Sequence, residues 1–250
     1  MKVNRLNEIE HYVYLQGNAS IKELAEKFDI SINTVRRDIK ELLKRGSIQK
    51  VYGGVTAARD PAIVPVPMRT GVNTEAKQYI ARLAAEQAAG SSTVFLDTGS
   101  TVSAMIPFLL DRQKDITIVT NSLSVVEQAA QHDFNLYSLG GFYNKATAGF
   151  VGISAEENLK NMAFDCAFLT ATALNIEYGL MADGYFEENV KRQVLRSCKN
   201  TYLLVDSSKF DQHALLTFGK IRDVGTIITE KKPGKEYIDY CKNNGVRLIY

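Results

Sequence analysis

The stretch that most restricts the fold of this chain is Ser31–Thr56, SINTVRRDIKELLKRGSIQKVYGGVT, where a basic helix pattern runs directly into two glycines. Ser31 can cap the helix, and apolar residues at three- and four-residue spacing predict one buried face. Those residues are Ile32, Val35, Ile39, Leu42 and Leu43. At about 100° per residue, the basic side chains lie on the other side of the wheel. They are Arg36, Arg37, Lys40 and Lys44.

This basic face is a local patch, because the whole chain has a net charge of only +2. Between Ser31 and Tyr52, six Lys or Arg residues stand against two acidic residues. A solvated helix surface is the simplest interpretation of such a charge run. It leaves unexplained why the basic helix is followed at once by a glycine hairpin.

Two shorter helix patterns precede the basic helix. Leu6, Ile9 and Val13 have helical spacing, while Ser20 and Glu23 are placed to form a capping box. The second helix is expected to bury Ile21, Leu24, Ala25 and Phe28.

The two glycines after the basic helix predict a small β wing. Gly53 and Gly54 can supply the positive φ angles of a two-residue turn between Ile48–Tyr52 and Val55–Arg59. Three short helices and a hairpin form a winged helix-turn-helix. In that arrangement a basic recognition helix fits the DNA major groove, and the wing can touch the flanking backbone.

The second part of the chain has a different pattern. Three of the five prolines lie in Asp60–Pro67, which predicts a linker over 58–73 between domains 1–57 and 74–250. From Thr74 onward, helical stretches alternate with apolar runs. These runs are TVFLD, ITIVT, NLYSLGG, CAFLTATAL, TYLLVD and GTIIT. The alternation predicts an α/β domain with a mostly parallel sheet.

Four loops follow these predicted strands, at the edge where open α/β sheets bind ligands. They are Asp97–Thr101 (DTGST), Thr120–Ser122 (TNS), Leu139–Gly141 (LGG) and Asp206–Lys209 (DSSK). The first loop opens a helix, so its N–H groups and hydroxyls can hold a phosphate. Ordinary helix capping is the simpler role for any one of these loops taken alone.

Composition excludes several other classes of protein. The apolar runs are too short to span a membrane, and the first residues lack an apolar signal core, so we expect a cytoplasmic protein. Three widely spaced cysteines suggest reduced thiols, and the three histidines lack metal-site spacing. We expect no metal and no cofactor.

The run NTVRRDI followed by KVYGG resembles the signature of the DeoR family of bacterial transcription regulators, whose winged helix-turn-helix binds operator DNA. Together, the resemblance and the helical wheel indicate a set of DNA-contacting residues. They are Asn33, Thr34, Arg36, Arg37, Lys40, Lys44, Lys50 and Tyr52. Arginine can pair with guanine, whereas the lysines are better suited to phosphates.

The four loops, in this order, resemble the effector domain of the same family, whose fold is related to sugar-phosphate isomerases such as ribose-5-phosphate isomerase. The resemblance implies a homo-oligomeric repressor, a dimer or tetramer, of a sugar or polyol catabolic operon. A phosphorylated sugar or sugar acid would release it from DNA. The effector residues implied by position are Asp97, Thr98, Gly99, Ser100, Thr101, Asn121, Ser122, Gly140, Gly141, Glu187 and Lys209.

Two departures from the family pattern concern this effector domain. GSTVS replaces the usual threonine run but keeps the hydroxyls, and FLTATAL lacks a glycine near Thr170–Thr172, where the pocket stays undefined. Repressors of inositol catabolism resemble this chain near Thr170–Thr172. They also share NTVRRDI, KVYGGVT and a late LLT near Leu215–Thr217.

An isomerase-like enzyme is the competing interpretation, with Asp97 or Glu187 as proton carrier and Lys209 as electrostatic aid. A third, an adaptor without DNA binding, leaves the basic helix without a role. We expect a regulator and not an enzyme, because an enzyme has no use for the N-terminal sixty residues.

Overall fold

The chain divides into two units, Met1–Val72 and Asn73–Tyr250. The computed structural model describes residues 2–16, 18–45, 48–57, 71–112 and 114–250. The predicted linker segment Asp60–Pro67 lies outside the described residues, so the boundaries proposed for the linker stay predictions.

The first unit contains three helices and a three-stranded sheet. Its elements are α1 (Lys2–Gln16), β1 (Asn18–Ser20), α2 (Ile21–Lys27), α3 (Ile32–Arg45), β2 (Ile48–Val51) and β3 (Gly54–Ala57). One core holds the helices together through Leu6, Ile9 and Val13 of α1, Leu24 of α2 and Val35 of α3. The predicted order of three helices and a hairpin is confirmed.

Local hydrogen bonds explain where two of these helices begin. The Ser20 hydroxyl accepts the Glu23 N–H at 3.1 Å, and the Glu23 carboxylate accepts the Ser20 N–H at 3.4 Å. The predicted capping box is therefore confirmed. Ser31 begins α3 in the same way, since its hydroxyl accepts the Thr34 N–H at 3.2 Å.

The predicted buried stripe of α3 is wrong at Ile32, which is 46% exposed. Side chains on a helix tilt toward its N-terminus. Ile32 is the first residue of α3, so its side chain extends beyond the helix end. Val35, Ile39 and Leu42 are buried as predicted.

The wing differs from its prediction by one residue in the turn. Val51 pairs with Gly54, so the turn residues are Tyr52 and Gly53, and of the two glycines only Gly53 has a positive φ, +82°. Gly54 meets a different need: a Cβ there would lie 2.2 Å from the Ala19 carbonyl oxygen. The glycine lets β3 approach β1, with which it pairs in the strand order β1-β3-β2.

The second unit contains the remaining elements. Its strands are β4 (Thr93–Leu96), β5 (Thr117–Thr120), β6 (Asn135–Ser138), β7 (Phe142–Asn144), β8 (Gly149–Val151), β9 (Cys166–Thr170), β10 (Ala173–Asn175), β11 (Gly179–Ala182), β12 (Thr201–Leu204), β13 (Leu216–Gly219), β14 (Thr226–Ile228) and β15 (Arg247–Ile249). Its helices are α4 (Thr74–Gln87), α5 (Ser100–Ser103), α6 (Leu123–Ala129), α7 (Ile153–Lys160), α8 (Tyr185–Ser197) and α9 (Lys235–Asn243).

A seven-stranded parallel sheet forms the centre of this unit. Its strand order is β15-β14-β12-β9-β4-β5-β6, and each neighbouring pair is parallel. Successive residues of a strand face opposite cores: Phe95 and Ala167 face α7, α8 and α9, while Val94 and Phe168 face α4 and α6. The predicted α/β class is therefore confirmed.

Two smaller antiparallel sheets were not predicted. One has the order β10-β11-β13, and the other is the hairpin β7-β8. The run CAFLTATAL, expected as one strand, divides into β9 and β10, which belong to different sheets. Within the described part of the chain, no helix is both long and apolar enough to cross a membrane.

Candidate functional site

The basic face of α3 is exposed, as the helical wheel predicts. Asn33, Arg36, Arg37, Lys40 and Lys44 are exposed, while Thr34 is half-buried. The Thr34 hydroxyl lies 2.9 Å from that of Ser31 and so shares in the start of the helix.

An ion pair keeps the acidic residue Asp38 away from this face. Asp38 is fully buried, and its carboxylate accepts hydrogen bonds from the Arg5 guanidinium at 2.7 and 3.3 Å. The pair joins α1 to α3 and hides a negative charge that would otherwise weaken a cationic surface. The exposed side of α3 can therefore attract a polyanion such as DNA.

A groove of about 310 Å³ lies between α3 and the wing. Its basic lining comes from Arg36 and Lys40 of α3 and from Lys50 of β2. The Tyr52 side chain stands fully exposed at the hairpin turn, at 108% of its reference area. Positive charge beside an exposed aromatic tip suits contact with a nucleic-acid backbone.

In the second unit, strand register collects most of the predicted effector residues at one sheet edge. Leu96 pairs with Phe168 on β9 and with Thr120 on β5, and Thr120 also pairs with Ser138 on β6. The loops that follow β4, β5 and β6 therefore lie side by side. They contain Asp97–Thr101, Asn121–Ser122 and Gly140–Gly141.

Asp97 forms the buried centre of this edge. Its carboxylate accepts a hydrogen bond from the Lys191 ammonium and two from Thr170, from the N–H at 3.0 Å and from the hydroxyl at 3.2 Å. Lys191 also donates to the Thr170 carbonyl at 2.9 Å and lies 3.3 Å from the Glu187 carboxylate. The structure thus brings Glu187 to Asp97 through Lys191.

This cluster places two carboxylates around one ammonium, with Asp97 and Lys191 buried and the Glu187 side chain 10% exposed. Burial raises the pKa of the Asp97 carboxyl above its ordinary value, and the negative charge of Glu187 raises it further. The positive charge of Lys191 lowers this pKa but does not outweigh the burial. Burial lowers the pKa of Lys191, but the charges of Asp97 and Glu187 outweigh it, so that pKa is raised. Sequence reasoning missed Lys191, although its four-residue spacing from Glu187 on a helix was available as a signal.

The loop Thr98–Thr101 is shaped by close contact with Thr170. The Thr170 hydroxyl lies 2.8 Å from the Thr98 carbonyl oxygen, so its single proton is shared between this carbonyl and the Asp97 carboxylate. A Cβ on Gly99, whose φ is +129°, would lie 2.8 Å from that hydroxyl. Ser100 begins α5, and the first N–H groups of a helix lack partners inside it. Thr170, at the sequence departure noted above, supports this loop.

After β5, the two predicted residues have different surroundings. The Ser122 hydroxyl caps α6 by accepting the Val125 N–H at 3.3 Å, which is the ordinary capping role. The Asn121 side chain is fully buried and, within the described residues, neither of its polar atoms has a hydrogen-bond partner.

The hairpin β7-β8 covers this part of the edge, and no motif in the sequence predicts it. The Phe150 N–H donates to the Asn121 carbonyl at 2.7 Å. A Cβ on Gly149 would lie 2.3 Å from the Thr98 methyl carbon, and one on Gly141 would lie 2.7 Å from the Val151 carbonyl oxygen. Gly140 and Gly141 both have positive φ, which turns the chain from β6 into the hairpin.

Lys209 lies apart from this cluster in strand order, because β9 separates its strand, β12, from β4. Its N–H donates to the Asp206 carbonyl at 3.0 Å. Burial raises the pKa of the Asp206 carboxyl, but the charge of Lys209 and hydrogen bonds from Ser208 lower it below its ordinary value. The described contacts thus place Lys209 with Asp206.

The exposed basic helix, the wing and the enclosed sheet edge together define a DNA-binding regulator with a sensor domain. Residues 5–60 match the DeoR-like helix-turn-helix domain, and residues 72–231 match the DeoR C terminal sensor domain. The chain belongs to the DeoR family of transcription regulators, which confirms the resemblance seen in the sequence.

Relatives support this over the full length. The chain is 36% identical to the HTH-type transcriptional regulator IolR of Bacillus subtilis over 99% of each chain. It is 29% identical to the glycerol-3-phosphate regulon repressor of Escherichia coli, over 99% of this chain and 98% of the relative. The lactose phosphotransferase system repressor of Lactococcus lactis is 31% identical, over 95% and 94%.

Solved structures show a weaker similarity. Ribose 5-phosphate isomerase A from Methanocaldococcus jannaschii covers 55% of each chain at 20% identity, with a TM-score of 0.42. A similarity of that size says nothing about activity. The family and its relatives are regulators, so the chain is a regulator and not an enzyme, as the sequence predicts.

Proposed function

We propose that this chain represses a sugar or polyol catabolic operon and leaves its operator when a phosphorylated sugar or sugar acid binds. DNA binding is supported by the exposed basic face of α3, which lies beside Lys50 and Tyr52 of the wing. The names of the relatives support the sugar or polyol half, since two are repressors of glycerol-3-phosphate and lactose systems. Inositol catabolism is the process that the sequence motifs favour.

On DNA, α3 lies in the major groove with Asn33, Thr34, Arg36 and Arg37 toward the bases. Lys40, Lys44 and Lys50 meet phosphates, and Tyr52 meets the backbone beside the wing. Operator affinity should then fall log-linearly with salt concentration.

Three variants test this arrangement in gel shifts with operator and random DNA. Lys44→Ala should reduce the salt slope by about one. Arg37→Ala should cost about 1 to 3 kcal/mol on the operator and relax discrimination at one base pair. Lys160→Ala is the control, because it removes an exposed charge from the other unit. Equal loss on both DNAs would make Arg37 a phosphate contact, and an unchanged slope in Lys44→Ala would contradict its role.

The effector occupies the sheet edge formed by Asp97–Thr101, Asn121–Ser122, Gly140–Gly141 and Glu187. Its phosphate meets the N–H groups and hydroxyls of Thr98–Thr101. The regulator acts in the cytoplasm as a homo-oligomer, because two recognition helices must match half-sites about 34 to 36 Å apart or a multiple of that. By linkage, effector and operator weaken each other by one factor, typically about 5 to 150-fold.

Thermal shift and operator release with sugar phosphates test the effector class. At least one such compound should raise the melting temperature of the full chain and release the operator, whereas unphosphorylated sugars should do neither. Lys209→Ala tests the remaining candidate: retained operator binding with a weakened response would place Lys209 at the phosphate. An unchanged response would restrict Lys209 to its partnership with Asp206.

A further inference from the structure

Asn121 has a buried side chain whose polar groups are unused. Its Oδ1 and Nδ2 atoms are the buried side-chain atoms without a hydrogen-bond partner among the described residues. Folded proteins pair nearly all such groups, because an unpaired one loses its hydration and gains nothing in return. An amide in this position needs an explanation.

The neighbours of Asn121 are already engaged with other groups. The Thr120 hydroxyl donates to the Leu96 carbonyl at 2.6 Å and accepts the Ser122 N–H at 2.9 Å, while the Ser122 hydroxyl caps α6. The Asn121 carbonyl itself accepts from Phe150 of the hairpin. The backbone carbonyl of Asn121 is therefore occupied, while the buried carboxamide keeps both its donor and its acceptor unused.

The position of this carboxamide is at the centre of the sheet edge. The pairing of Leu96 with Thr120 sets Asp97 beside Asn121 on neighbouring strands, which lie about 4.8 Å apart. The hairpin residue Gly149 covers Thr98 and Asn121, since a Cβ there would lie 2.3 Å from the Thr98 methyl carbon and 3.1 Å from the Asn121 carbonyl oxygen. A ligand that enters this edge meets Asn121 next to Asp97.

We propose that Asn121 recognises a hydroxyl group of the effector, and not its phosphate; this deepens the proposed function and rests on it. A hydroxyl can donate to Oδ1 and accept from Nδ2 at once, whereas a phosphate dianion offers acceptors alone. The effector is therefore a polyhydroxylated phosphate whose carbon chain runs from the Thr98–Thr101 loop to Asn121.

The first arm of the test uses the ligand-free full chain. Asn121→Leu keeps a similar volume and removes the unpaired amide, so its melting temperature should rise by about 2 to 4 °C. Thr120→Val is the matched control: it removes a hydroxyl whose bonds are made, so its melting temperature should fall. A fall in Asn121→Leu as well would mean that the amide is satisfied without a ligand, and would overturn the proposal.

The second arm compares ligands. The probes are glycerol 3-phosphate, glucose 6-phosphate, 2-deoxyglucose 6-phosphate, 6-phosphogluconate, myo-inositol 1-phosphate and inorganic phosphate. Release of Asn121→Leu from the operator should need a concentration of the active probe at least about tenfold higher than release of wild type does. A site built for a hydroxyl depends on the hydrogen bond that the variant has lost. Inorganic phosphate should shift the melting temperatures of both proteins equally.

The outcomes separate the two proposals. An equal response of wild type and Asn121→Leu to an active sugar phosphate would overturn the role of Asn121 and leave the proposed function intact. If inorganic phosphate raised the melting temperature of wild type and not that of Asn121→Leu, the phosphate would bind at Asn121. That result would also overturn the proposed role of Asn121. A wild type that responds to none of the organic phosphates would overturn the proposed effector class, and the assignment of Asn121 with it.

Discussion

Replacing Lys191 by methionine should strongly destabilise the second unit. Lys191 is nearly inaccessible, and its ammonium contacts the Asp97 carboxylate, the Glu187 carboxylate and the Thr170 carbonyl. Methionine keeps most of the length of the side chain but leaves the fully buried Asp97 with only its bonds to threonines. Breaking a buried pair in this way costs about 3 to 5 kcal/mol. In a unit of this size the melting temperature should fall by about 6 to 20 °C.

The loss should depend on pH in a definite direction. Without Lys191, the pKa of Asp97, already raised by burial, rises further. The folded state then holds that proton more tightly than the unfolded state, so stability falls as the pH rises above about 4. Lys191→Met should therefore lose more stability at pH 8 than at pH 5, relative to wild type at each pH. Differential scanning calorimetry at the two pH values measures both quantities.

Two further variants make this prediction specific. Lys160→Met is the matched control, because Lys160 forms an exposed pair with Glu157, and such pairs contribute about 0 to 1 kcal/mol. The double variant Asp97→Asn with Lys191→Met should recover part of the loss, since it removes the stranded charge. A Lys191→Met protein that melts within about 2 °C of wild type, or a double variant no better than the single one, would refute the reasoning.

Other predictions concern single contacts. Gly54→Ala should cost about 1 to 3 kcal/mol and weaken operator binding, since the new methyl would meet the Ala19 carbonyl and force β3 away from β1; urea unfolding and gel shifts measure the two effects. Ser20→Ala should remove the capping box with Glu23 and cost about 0.5 to 2 kcal/mol, seen as faster amide exchange in α2. Burial raises the pKa of the Cys241 thiol to about 11, so alkylation at pH 8 should proceed only as the protein unfolds, and rapid labelling of the native chain would contradict this.

Much of the fold could be predicted because its signals are local. The Ser20 and Glu23 cap depends on a spacing of three residues, and the central strands of a parallel sheet are apolar on both faces, so each appears as a continuous run. The strands of the hairpin β7-β8 are three residues long and partly exposed, which is too short for an alternation of apolar and polar residues to predict them. The run CAFLTATAL contains only β-compatible residues, with Thr170 and Thr172 its only polar ones, and nothing in it shows that the chain leaves the sheet after Thr170.

The candidate site was predictable at the level of loops and not of partners. The loops after β4, β5 and β6 can be predicted because each one directly follows an apolar run that is recognisable as a strand. Whether a polar residue there is paired depends on elements distant in the chain: Asp97 meets Lys191, which stands 94 positions later. Ser122 and Asn121 are adjacent and equally polar, yet one caps a helix and the other has an unused amide.

The hairpin over the sheet edge has a consequence for the timing of the response. Gly149 and Phe150 of this hairpin contact Thr98 and Asn121, so an effector at the proposed site would reach Asn121 only when the hairpin moved aside. Binding that waits for such an opening is slower than an ordinary encounter, and departure waits for the same event. The rate constant for operator release should thus level off at high effector concentration, at the opening rate of the hairpin.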